Sequence, residues 1–210
     1  MFTPVSQAIE EFRLERASDF VRYWSRFYKY DKRIYFHELS IGDDGSLCDL
    51  TRENVQRLLR WKDRRMLTQE ILSGPNKGND NQRVKRVLER LDDINSFRRG
   101  EIAEAEIRGV ADSVFHSGMA FRVFLLHIAK PHIYPIGDQH VYRTYALHTK
   151  KPAKWSLDGW KAYDEYRRYF HSIADAMGIP RTTGNIKDLK EIDNALMVFG
   201  QFLRSYVSMD

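Results

Sequence analysis

The chain has 210 residues, 42% of them hydrophobic and 30% charged, enough to bury a core in one compact domain or two small lobes. No run reaches the roughly 18 consecutive apolar residues that span a membrane. The single cysteine, Cys48, excludes an intrachain disulfide and any zinc or iron–sulfur site ligated by cysteines of this chain. A net charge of +5, from 34 basic and 29 acidic side chains, favours a polyanionic partner met by a local basic face, not a tail that coats nucleic acid. Met1-Phe2-Thr3-Pro4 lacks the basic and apolar regions of a secretory signal. A reducing setting, cytoplasmic or nucleoid-associated and without membrane partners, is therefore expected.

Taken in order, the chain reads as helical nearly throughout. Thr3-Pro4 fits an N-cap and first helical position. Phe12, Leu14, Phe20, Tyr23, Trp24, Phe27 and Tyr28 recur mostly at three- and four-residue steps. They predict one long amphipathic helix to about Asp31, with these side chains as its core face. Arg22, Arg26 and Lys29 interleave with them, a combination that also suits nucleic acid through stacking and phosphate contacts. Residues 35–49, with Gly42-Asp43-Asp44-Gly45-Ser46, read as the clearest loop. Thr51 opens a helix with Val55, Leu58, Leu59 and Trp61 inward, and Arg57, Arg60, Lys62, Arg64 and Arg65 form a basic cluster. Met66, Leu67, Ile71 and Leu72 suggest a short helix stopped by Ser73-Gly74-Pro75. A helix from about Asp80 to Ile94 buries Val84, Val87, Leu88 and Leu91 and exposes Arg83, Lys85, Arg86 and Arg90. Phe97 and Gly100 mark a turn, and residues 101–115 one or two short helices. His116-Ser117-Gly118 breaks the pattern. Met119 to Ala129 is apolar almost all round and belongs at the centre of a fold. Further on, Ser156 caps a helix to about Met177, and a last helix runs from about Ile186 to Val207.

Between these lies Tyr134-Pro135-Ile136-Gly137-Asp138-Gln139-His140-Val141-Tyr142-Arg143. Pro135 and Gly137 break helix, and Asp138 is a favoured N-cap for a helix with Val141, Tyr142 and Tyr145 on its inner side. Backbone N–H groups and the positive helix end favour negative charge there. An ordinary cap satisfies the local pattern; the surroundings point to more.

A break containing Gly118, an apolar helix of about a dozen residues, a Pro-containing loop and then Asp138-x-His140-Val141-x-Arg143 together resemble the helix-hairpin-helix DNA glycosylase superfamily, to which endonuclease III belongs. Asp193-Asn194-Ala195-Leu196-Met197-Val198-Phe199-Gly200 is similar to that family's closing helix. The likeness covers about residues 114–145 and 192–201. It implies an all-α, two-lobed fold with a central apolar helix and a cleft at the loop-to-helix aspartate. The expected lobes of one compact unit, 1–210, are a barrel-like 30–130 and the packed helices of 1–29 with 131–210. Two features depart from the family. Phe115-His116-Ser117-Gly118 replaces Pro-Gly-Val-Gly in the hairpin that grips a DNA phosphate. Ala120 stands where bifunctional members carry lysine, so Schiff-base chemistry is not expected.

The resemblance implies a monofunctional N-glycosylase acting on a damaged or modified base of DNA, with no cofactor, no metal and no obligate protein partner. Asp138 then stabilises positive charge on the sugar and orients water. The base leaves the duplex stack first. Candidate DNA or substrate contacts are Ser117, Gly118 and Met119 at the hairpin, with Gln139, His140 and Arg143 beside the aspartate. Arg143 suits either a phosphate or an internal ion pair, and His140 either substrate or structure. Gln139 could probe the gap left by a flipped base. His116, His127, His132, His140 and His148 match no metal-ligand spacing, and His127 falls among core residues. Two alternatives remain at this stage: an N-ribohydrolase acting on a free nucleoside or nucleotide, and a catalytically inactive DNA-binding module using the basic clusters.

Overall fold

The computed structural model describes residues 13–29, 32–63, 67–68, 70, 77–151 and 157–207. A short 3-10 turn, Leu14–Arg16, leads into α1 (Ala17–Ser25), followed by α2 (Lys32–Glu38) and α3 (Arg52–Lys62). Then come α4 (Gln82–Glu89), α5 (Leu91–Arg99), α6 (Glu104–Val114) and α7 (Met119–Ala129). The chain closes with α8 (Gln139–His148), α9 (Gly159–Ala176), a 3-10 turn at Thr183–Asn185 and α10 (Ile186–Val207). The protein is thus all-α, and among the described residues the β pairing is limited to two isolated bridges, Ile41 with Leu47 and Glu70 with Asp80. No helix among the described residues is long and apolar enough to cross a membrane. The expectations for Thr3-Pro4, for the short helix near Met66–Leu72 and for the Ser156 cap fall on residues outside the described set or only partly within it.

The chain divides into two units, Met1–Lys29 with His132–Asp210, and Tyr30–Pro131. In the second unit α7 takes the central place that its composition demands: every residue from Val123 to Ala129 is buried. It packs against α5 and α6. His127 is a core residue, stacked on Tyr35 and hydrogen-bonded to its hydroxyl at 2.7 Å. Thr51 caps α3 through a reciprocal pair with Asn54, donating its own backbone N–H and accepting that of Asn54, a device that stabilises a helix start by about 1 kcal/mol.

Arg98 is buried and spends its guanidinium entirely on carbonyls. It donates to Cys48 at 2.6 Å, Ile128 at 2.7 Å, Ala129 at 3.2 Å and Ser40 at 2.9 Å, and also to Leu39. Those carbonyls belong to the ends of α2 and α7 and to the loop between α2 and α3. A cation placed there meets the negative ends of two helices. Burial lowers its basicity to about 10, so it stays charged at neutral pH.

In the first unit α10 packs against both α1 and α8. Phe20 and Trp24 of α1 meet Phe199, at ring separations of 5.4 and 4.9 Å. Thr144, fully buried on α8, donates to the Leu196 carbonyl at 2.7 Å.

Four expectations need correction. The first helix ends at Ser25, not near Asp31, and its stripe is split: Phe20 and Trp24 face the core, whereas Tyr23 and Phe27 point to solvent. Tyr35 to Glu38 is helix and not loop. The helix expected from Asp80 to Ile94 breaks at Arg90, where the backbone leaves helical geometry and Asp92 and Asp93 open a new helix. Phe97 lies inside that helix, buried, and Gly100 alone makes the left-handed turn, with φ of 83°.

Candidate active site

The chain from Tyr134 to Gly137 is buried and lies outside any helix, a costly path for backbone carbonyls unless each finds a donor. Two tyrosines of α9 supply donors. Tyr163 donates its hydroxyl to the Pro135 carbonyl at 3.0 Å, and Tyr166 to the Ile136 carbonyl at 3.2 Å. Both rings are fully buried, and burial raises the Tyr166 phenol well above its ordinary range, so it remains a donor. The Arg167 guanidinium lies 5.1 Å from the Tyr134 ring centroid. The loop is therefore held from one side by a single helix.

That loop delivers Asp138 to the start of α8. Its backbone is extended, and its Oδ1 accepts the N–H groups of His140 at 2.8 Å and Val141 at 3.1 Å. The aspartate is half-buried, whereas the four residues before it are buried. Val141, Tyr142 and Tyr145 turn inward as their spacing predicts, and Tyr142 donates to the Ala162 carbonyl at 2.7 Å. The result is a carboxylate with fixed position and partial access to solvent.

The other residues expected beside it separate by role. Gln139 is exposed. His140 and Arg143 turn toward each other, with Arg143 Nη1 3.0 Å from His140 Nδ1. Arginine can only donate, so Nδ1 accepts and the imidazole proton sits on Nε2. Burial is the main cause that lowers the His140 pKa; Arg143 and Arg204 add to it, while Asp138 and a hydrogen bond with the Gly200 backbone oppose it. Arg143 also reaches the Gly200 carbonyl at 3.5 Å. Within the chain its partners are thus a histidine and a helix carbonyl, and not a carboxylate.

Gly200 lies where α10 comes directly against the backbone of α8. A Cβ built on it would lie 2.0 Å from the His140 carbonyl oxygen. Sequence reading found the Ala-Leu-x-x-Phe-Gly segment but not this reason for its glycine. The hydroxyl partners of Tyr163 and Tyr166 lie 28 and 30 residues upstream, beyond the reach of local periodicity.

Ser117, Gly118 and Met119 belong to the other unit, at the N-terminus of α7. Gly118 adopts φ of 87°, which favours glycine. Ser117 and Gly118 are exposed, while the Met119 side chain is buried, so its outward offering is its backbone N–H. Behind them, Arg122 donates to the carbonyls of Phe115 at 2.7 Å and His116 at 3.0 Å. Ala120 places a methyl group, and no amine, on the first turn of α7.

A cleft of about 440 Å³ lies at the opposite end of α8 from Asp138, lined by Tyr145, His148, Tyr169, Glu165 and Arg168 among others. Ten residues from Asp138 to His148, at 1.5 Å each, put it roughly 15 Å along the helix from the carboxylate. Among the described residues no group of three or more His, Cys, Asp or Glu side chains is arranged to hold a metal. Comparison of the chain with protein-family models, curated proteins and solved structures finds no match.

Proposed function

We propose that the chain is a monofunctional DNA N-glycosylase of two-lobed, glycosylase-like architecture, acting on a damaged or modified base flipped from the duplex. The observation that carries this reading is Asp138: a half-buried carboxylate, held by two backbone N–H groups at a helix start and preceded by a loop locked from behind. The C1′–N bond breaks with its electron pair leaving on the base, and positive charge grows on the sugar. A fixed carboxylate beside C1′ stabilises that charge. Water then forms the C1′–O bond and gives up a proton, which ends on the departed base or the carboxylate. With Ala120 in place of an amine, the product is an intact strand carrying an abasic site.

The test incubates the protein with duplexes carrying different base lesions and then treats them with alkali. Strand breaks are expected only after alkali. Asp138→Asn is expected to lower the rate by about a hundredfold or more while leaving the fold unchanged, the scale seen when an electrostatic stabiliser is lost. An unchanged rate removes Asp138 from the mechanism, and no cleavage of any lesion removes the reading.

A second reading, hydrolysis of a free nucleoside or nucleotide by the same carboxylate, is favoured by the pairing of several basic side chains. Arg57 meets Glu38 and Glu53, Arg99 meets Asp49 and Glu101, and Arg122 meets Asp112. Charges neutralised in this way release few counterions from DNA. Duplex binding that hardly changes with salt supports this second reading, and a steep salt dependence supports the first.

A further inference from the structure

Two large aromatic side chains stand outside the packed face of α1: Tyr23 is 49% exposed and Phe27 44%. They are four residues apart, so they share one side of the helix end, with ring centroids 5.5 Å apart. Tyr23 rests edge-on against Trp24 at 5.2 Å, and Trp24 is anchored on Phe199 and Phe202 of α10. The Arg26 guanidinium lies 4.5 Å from the Tyr23 centroid and 4.9 Å from that of Phe27. Arg22, Arg26 and Lys29 are all exposed. Residues 13–29 carry five basic side chains against two acidic ones, and of these Asp19 pairs with Arg22 at 2.7 Å.

Exposed aromatics that are not needed for the core mark a binding surface. The charge decides its partner. A second copy of this chain, docked through the same patch, would set five basic side chains against five. A polyanion is drawn in instead, and only a nucleic-acid strand combines phosphates with flat faces that stack on rings or on a guanidinium plane. We propose that the Tyr23–Arg26–Phe27 surface is a stacking platform for unpaired nucleotides of a nucleic-acid strand, with Arg26 and Lys29 meeting its phosphates. The platform concerns binding and does not depend on the chemistry at Asp138.

The experiment measures anisotropy of a labelled oligothymidylate of about 12 nucleotides, within the usual site size, with heparin as a polyanion that has no bases. Tyr23→Leu with Phe27→Leu keeps the charge and apolar bulk and removes the stacking faces. Strand affinity is expected to fall about tenfold or more, with heparin affinity unchanged. Arg26→Gln is expected to reduce the slope of log affinity against log salt by about one. Both rings are exposed, so unchanged circular dichroism and melting should accompany the losses. The proposal is overturned if the wild type does not bind the strand, if the double leucine variant binds it equally well, or if heparin affinity falls in parallel. It is also overturned if light scattering shows that the variant changes oligomeric state without changing strand affinity. None of these outcomes bears on base release, which is read separately by alkaline cleavage.

Discussion

At Gly200 a single hydrogen allows α10 to touch α8. The Cβ of an alanine would sit 2.0 Å from the His140 carbonyl oxygen, with the His140 carbonyl carbon and Cα at 2.5 and 2.9 Å. All three are backbone atoms, so relief requires moving one helix away from the other. Gly200→Ala is expected to cost about 3 kcal/mol, at the upper end of overpacking, read as a fall in melting temperature of about 6–12 °C for a chain of this size. Because His140 follows Asp138 by two residues, the shift would also disturb the cap bond at 2.8 Å. A melting temperature equal to that of the wild type would mean the helices are free to separate. At this scale the sequence is uneven. Asp138 is legible as a cap because Pro, Gly and Asp before an apolar run have few other uses. The requirement at Gly200 is invisible, because it arises from an atom 60 residues away.

Between helices, the shared device is a buried donor that collects carbonyls from several chain segments. Tyr163 and Tyr166 do this for the loop before Asp138, and Arg98 does it for the ends of α2 and α7. Lysine cannot reproduce the Arg98 geometry, since one ammonium group cannot reach carbonyls spread around a planar fork. Arg98→Lys is therefore expected to destabilise the protein by about 3 kcal/mol, the scale of two or so buried carbonyls left without donors. Thr51→Ala, the loss of a single exposed cap, should cost about 1 kcal/mol. Urea denaturation of the two variants checks the order, and equal midpoints would refute the role given to Arg98. The element boundaries themselves were readable where caps are explicit, as at Thr51, Gly118 and Asp138. They failed where none is. The part of α2 from Tyr35 onward reads as loop because Gly42 to Ser46 dominate its neighbourhood, and the break at Arg90 carries no proline or glycine.

At the scale of the whole molecule, His140, His148 and His171 are held below their ordinary pKa of about 6.5. Burial among Phe20 and Phe199 brings His148 to about 3, burial and then Arg181 and Arg167 bring His171 to about 4, and His140 is lowered mainly by burial. The unfolded chain therefore binds more protons than the folded one between the ordinary value and these lowered ones. Stability is fully present above about pH 6.5 and is lost progressively as pH falls toward 4 and then 3. The melting temperature is expected to begin falling between about pH 6.5 and 5, before ordinary carboxylates titrate. His148→Gln should flatten that fall. A melting temperature constant from about pH 7 to 5 would contradict the burial of these rings.

Some properties follow from residue order alone. Local hydrogen bonding and helical periodicity act over a few residues, so the all-α class, the apolar α7, the Asp138 cap and the course of α10 could be read directly. One cysteine leaves no partner within the chain for a disulfide. Tertiary structure decided which side of each stripe is buried. Phe20 and Trp24 found Phe199 while Tyr23 and Phe27 did not, although all four fit one helical face of the sequence. It also decided what the polar groups hold: Arg143 turned to His140 and Gly200, and the tyrosines of α9 took the carbonyls before Asp138. Those choices depend on surfaces that meet only after the chain folds back on itself, and no local pattern records them.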